Sequence, residues 1–170
     1  MNKELIDTLI SVVIIGIPEC IVLTMLMLAF LQLPLIWKKI ISVGIIQAIT
    51  VIIFRLFANS LELPGLHTAA AVITLGLLVS FFWQASRVKA LTCSIMVMIV
   101  LILLEFLYYN LFELLFTVNL DKIVQSKLYW ALCGWSHVVT ISFIVILVTK
   151  TKWYQKGLLK YTPFNHSGAR

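Results

Sequence analysis

The chain has 170 residues, of which 62% are hydrophobic and 12% charged, with 13 basic against 7 acidic side chains, a net charge of +6 and a mean hydropathy of +1.07. A soluble domain carries roughly 25% charged residues, so the composition excludes one. Seven glycines, four prolines and three cysteines exclude collagen, low-complexity disorder and a disulfide scaffold as well.

A bilayer-crossing helix takes about 20 apolar residues, so five spans absorb nearly all the apolar content and leave no material for an extramembrane catalytic domain. Five long apolar runs occur, at about residues 5–31, 37–58, 66–86, 90–116 and 128–148. Breakers separate them: Pro34 after the first, Asn59, Pro64 and Gly65 after the second, Asn119 and Asp121 after the fourth. The alternation that a membrane barrel needs is absent, and Ile95 to Leu104 is uniformly apolar. The expected fold is all-α, a multi-pass cell-membrane bundle of five helices over residues 1–149 followed by a basic tail, 150–170. The first run is too long for a signal peptide. Its leading residues (Lys3, Glu4, Asp7) are not basic on balance and no small-x-small cleavage site follows, so it counts as a span.

Charge placement predicts the orientation. Lys38 and Lys39 follow span one, Arg87 and Lys89 follow span three, and Lys150, Lys152, Lys156, Lys160 and Arg170 follow span five, which gathers nine of the 13 basic residues on one side with none of the seven acids. The positive-inside rule then sets the N-terminus outside and the C-terminus in the cytoplasm. This accounts for the net charge without nucleic acid, since no basic helix or aromatic platform stands free of the membrane. In the tail, Lys152, Lys156 and Lys160 alternate with Trp153, Tyr154, Leu158 and Leu159, a pattern suited to lying on anionic lipid. A plain stop-transfer cluster with an aromatic belt is the alternative.

Intramembrane ionisable groups are costly unless they face the bundle interior or a partner. Glu19 lies mid-span directly after Pro18, which removes a backbone donor and places a kink and an unpaired acceptor beside it. Gln47 and Arg55 belong to helix two, His67 opens helix three, Glu105 and Glu113 belong to helix four, and Ser136 and His137 to helix five. At about 100° per residue, Glu105, Tyr109, Phe112 and Glu113 share one face. Glu19, Arg55, His67, Glu105, Glu113 and His137 are therefore candidates to line an outward-opening site for a small ligand or a proton. The competing arrangement pairs Arg55 with Glu113 and leaves the others as satisfied core groups. Gly44 with Ala48 and Gly76 with Ser80 read as small-residue pairs that bring helices two and three together. Trp37, Trp83, Tyr129, Trp130 and Trp153 read as belt anchors.

No catalytic or cofactor motif is present: GxGxxG, GxxxxGK[ST], HExxH and GxSxG are all missing. Cys133 and His137 share a helix face, but no neighbouring Asp or Asn orients the imidazole, so neither catalysis nor a cofactor is expected. Cys20, Cys93 and Cys133 lie on three helices without zinc-type spacing, so no metal is expected either.

Ile17-Pro18-Glu19 in helix one, the short loop to Trp37-Lys38-Lys39, the start Leu63-Pro64-Gly65-Leu66-His67-Thr68 and a later mid-helix Glu105 occur in this order. Over about the first 115 residues the chain thereby resembles the membrane sensor regions that precede the kinase domain in histidine kinases of Gram-positive, clostridia-like bacteria. The resemblance implies a sensory or signal-coupling domain without catalysis of its own. Up to Arg170 there is no dimerisation helix, phospho-acceptor histidine or ATP-binding motif, so the implied partners are a separate histidine kinase or a second copy of the chain. The alternative is a small-molecule transporter, or the substrate-binding subunit of one, working through intramembrane carboxylates. Energy-coupling-factor subunits, however, typically have six spans and an Ala-x-x-x-Ala surface that helix one lacks. Membrane peptidases that process autoinducer peptides need His and Cys together near the cytoplasmic face, and His67 and Cys93 are neither close in sequence nor on one side. The charge pattern predicts that a C-terminal alkaline phosphatase fusion is inactive, because that enzyme works only outside the cytoplasm; activity of the fusion would overturn the orientation.

Overall fold

The computed structural model describes residues 12–61, 66–116 and 127–161. Among these there is no strand. One turn of π-helix, Val12–Gly16, leads into α1 (Ile17–Phe30), followed by α2 (Trp37–Leu61), α3 (Leu66–Trp83), α4 (Arg87–Phe116), α5 (Lys127–Thr149) and a short α6 (Lys152–Tyr161). Five helices are long and apolar enough to cross a membrane, which fits an integral membrane protein. Glu4, Asp7, Pro64, Gly65, Asn119, Asp121 and the tail from Pro163, His166 included, lie outside the described residues.

Helix α1 is the hub. Leu26, Met27, Leu28 and Ala29 are all fully buried, and four consecutive helical positions point in every direction, so the helix is enclosed on all sides. Helices α2, α3, α4 and α5 pack in series around it. Their outward faces carry Phe81, Phe106, Leu107 and Leu114 exposed, which lipid covers at no cost where water would not. Pro18 stands in the first turn of α1 but directly after a helical turn, so its missing N–H leaves a carbonyl of that turn without its helical donor. The expected disturbance takes the form of the π turn before it, which widens the backbone where the proline ring would crowd the preceding carbonyls.

The small residues act between other helices than the spacing suggests. A methyl group on Gly44 would come within 2.6 Å of Ile21 Cγ1, and one on Gly76 within 2.7 Å of Leu91 Cδ2. Gly44 thus lets α2 approach α1, and Gly76 lets α3 approach α4.

One end of the bundle gathers the α1–α2 turn, the α3–α4 turn and α6. Helix α1 closes in a Schellman motif, with Leu33 N–H donating to Leu28 O and Gln32 N–H to Ala29 O, and Gln32 takes the left-handed φ of 56° that this closure requires. Trp83 does not anchor at an interface: it is 1% exposed, its indole Nε1 donates to Pro34 O at 2.9 Å, and Lys39 Nζ lies 5.6 Å above its ring. Lys39 Nζ also donates to Phe82 O at 2.7 Å, capping the negative end of α3. Trp37 and Trp153 are exposed, as belt residues should be. Helix α6 is held by Tyr154, whose hydroxyl donates to Leu33 O at 2.8 Å, and by Gln32 Nε2, which donates to Trp153 O at 3.0 Å. Burial pushes the Tyr154 phenol above its ordinary range, so the donor proton is retained at neutral pH. Gly44→Ala is expected to destabilise the detergent-solubilised protein by about 1–3 kcal/mol, because Ile21 backbone atoms at 3.2 Å cannot swing aside; thermal unfolding with helicity as readout checks it.

Candidate functional site

The half of the bundle opposite α6 contains a cavity of about 160 Å³. It forms where the first turns of α1 and α3 meet the later turns of α2 and α4, so residues far apart in sequence share one wall. Glu19 and Cys20 come from α1, Gln47 and Arg55 from α2, His67 and Thr68 from α3, and Glu105 from α4. Leu23, Ala48, Ala71 and Leu101 complete it with apolar surface. Arg55 stands at the exposed edge of the cavity.

Four of the six sequence candidates, Glu19, Arg55, His67 and Glu105, are on this wall. His137 reaches it indirectly. From α5 its Nε2 faces Glu19 Oε2 at 3.6 Å, and the carboxylates of Glu19 and Glu105 and a ring nitrogen of His137 all lie within 4.8 Å of one another. Glu113 does not join them: its side chain is exposed and is not part of the cavity wall. The pairing of Arg55 with Glu113 is not formed, and among the described residues the carboxylate of Glu19 instead faces the His137 imidazole, an ion pair only when that ring is protonated.

Gln47 plays a larger part than a neutral amide in a long apolar run suggests. It is 2% exposed, its Nε2 donates to Ala71 O at 2.7 Å and ties α2 to α3, and its Oε1 is left without a partner. Both ring nitrogens of His137 also lack a hydrogen-bond partner among the described residues, although the residue is 4% exposed. Unsatisfied buried polar atoms cost about 1–3 kcal/mol each, and three of them, one on the cavity wall and two on His137 beside Glu19, lie in this part of the bundle. The other buried polar groups are satisfied: Thr24 Oγ1 donates to Cys20 O and Ser94 Oγ to Val72 O, both at 2.7 Å.

Cys20, Cys93 and Cys133 are free and buried on three helices. Cys133 shares the buried side of α5 with His137. No family model, curated protein or solved structure matches the chain.

Glu19→Ala is expected to lower stability by about 1–3 kcal/mol, since it removes the carboxylate nearest the buried imidazole and opens a gap beside it. The Glu19→Ala, His137→Ala double variant should lose less than the two single losses added together, and a thermal-unfolding double-mutant cycle measures the difference.

Proposed function

We propose that the protein is a sensory membrane domain, with its N-terminus outside and its C-terminus in the cytoplasm, that binds a small ligand or a proton in the cavity and passes occupancy through α1 to α6. It performs no catalysis of its own and works with a separate histidine kinase, while α6 and the basic tail rest on anionic lipid. The observation that carries this reading is that α1 serves both ends. Glu19 in its first turn stands on the cavity wall, and Gln32 and Leu33 just beyond its last turn hold α6. A shift of α1 that follows a change at Glu19 therefore acts directly on the two bonds that dock α6, which is the coupling between distinct sites that signalling requires.

The motifs behind the resemblance to histidine-kinase sensor regions support the same reading, since Glu19, His67, Thr68 and Glu105 converge on one cavity. With the basic turns facing the cytoplasm, that cavity belongs to the outer half and is open to extracellular ligands. The proximity of Glu19 and Glu105 favours a second reading, a transporter coupled through intramembrane carboxylates.

Spin labels at Ile36→Cys and Gln155→Cys, both exposed positions, report the docking of α6. Sensing predicts that Glu19→Gln shifts or broadens the distance distribution in nanodiscs, as Tyr154→Phe does by direct loss of the bond to Leu33 O. An unchanged distribution in Glu19→Gln would overturn the relay, and ΔpH-driven solute movement in proteoliposomes would establish the transporter instead.

A further inference from the structure

We infer that Glu19, Glu105 and His137 form a binding site for a divalent first-row transition-metal cation, of the zinc class, at the inner edge of the cavity. The inference rests on the reading of the cavity as a binding site and names what binds there.

The donor set comes from three helices, α1, α4 and α5, and so has no sequence spacing. Its carboxylate oxygens and imidazole nitrogen lie within 4.8 Å of one another. A cation bound at about 2.1 Å in tetrahedral geometry sets its donors about 3.4 Å apart, so the widest separation must contract by about 1.4 Å. Rotation of a glutamate side chain covers that, and neither carboxylate is held in place by a hydrogen bond from a described residue.

The independent sign of a ligand is the state of His137. It is 4% exposed, points its Nε2 at Glu19 Oε2 from 3.6 Å, and neither ring nitrogen has a hydrogen-bond partner. A coordinated cation satisfies one of those nitrogens and both carboxylates together. Electrostatics points the same way. Two carboxylates beside one imidazole in an apolar bundle favour positive charge close by, and Arg55, whose charge acts on Glu105, stands at the exposed edge in ion-pair contact with neither. A divalent cation balances the two carboxylates where they stand. Mixed imidazole and carboxylate donors select the zinc class over magnesium, which takes all-oxygen octahedral sites. Three protein donors leave a fourth position open toward the cavity, where water or an anionic ligand completes the shell. Gln47, whose amide oxygen lacks a partner on the same wall, can accept from that water.

The test uses the full chain in detergent, free of affinity tag and kept reduced, titrated with Zn²⁺ and separately with Mg²⁺. About one Zn²⁺ per chain should be retained through gel filtration, with a rise in unfolding temperature that Mg²⁺ does not reproduce. His137→Ala and Glu105→Gln should each weaken Zn²⁺ binding by at least about tenfold, and His166→Ala should leave it unchanged. Glu105→Gln keeps the side-chain shape and carries the test if His137→Ala fails to fold. Absence of Zn²⁺ binding, binding equalled by Mg²⁺, or binding indifferent to both site variants would overturn the inference. The relay to α6 fails separately: a label distance that responds to Glu19→Gln without zinc binding leaves sensing intact and removes the metal.

Discussion

Around Leu26 to Ala29, α1 has no side that faces lipid, and every other helix is placed by the need to cover it. Enclosure on that scale works only if the helix is apolar along the covered turns, and from Val22 to Ala29 it is, apart from Thr24, which bonds back to Cys20 O in its own helix. Glu19 and the π turn are the departures, and they lie about two and about three to four turns before the fully covered stretch. The same packing that makes α1 a hub therefore confines its one carboxylate to the place where the covering helices leave a gap. The cavity is the counterpart of the tight packing below it.

The fold was largely legible because length and apolarity are one-dimensional properties. The five runs needed no tertiary information, and where the described residues reach their ends the shifts are small: the first helix ends at Phe30 and the third stops at Trp83, while the expected start of the first run lies outside the described residues. Partner choice was less legible. Gly44 and Gly76 were recognisable as close-approach residues, but spacing on one helix does not say which neighbour approaches, and Ile21 and Leu91 proved to be the partners. Trp83 reads as a belt residue because it ends a span; its burial depends on the Pro34 carbonyl, 49 residues earlier in the chain.

For the site, the signal was cost. Any ionisable group in an apolar run stands out, which put Glu19, Arg55, His67 and Glu105 on the candidate list, and the structure brings these four to one wall. The same criterion included Glu113, which is exposed, because helical phase places Glu105 and Glu113 about two turns apart on one face without saying how far the neighbouring helices extend to cover them. Gln47 stands out less in sequence, since a neutral amide is cheaper to bury than a charge. The grouping of His137 with the two glutamates lay beyond reach of any spacing rule, because its members come from three helices.

The π turn before Pro18 has a consequence for how α1 can move. A π turn holds one residue more than an α turn, and that surplus can migrate along a helix by exchanging one backbone bond at a time, with no net loss of bonds. Each exchange turns the segment it passes by about 100° relative to the rest. Pro18 has no N–H to exchange, so it is a fixed stop, and the surplus is confined to the residues ahead of it. The described residues of the π turn ahead of Gly16, Val12 to Ile15, can thus change the face they present in single-residue steps while α1 itself keeps its register. Ile15, which lines the cavity and packs against Gly134, belongs to that turn, so a one-residue step there alters the cavity lining at the cost of that contact.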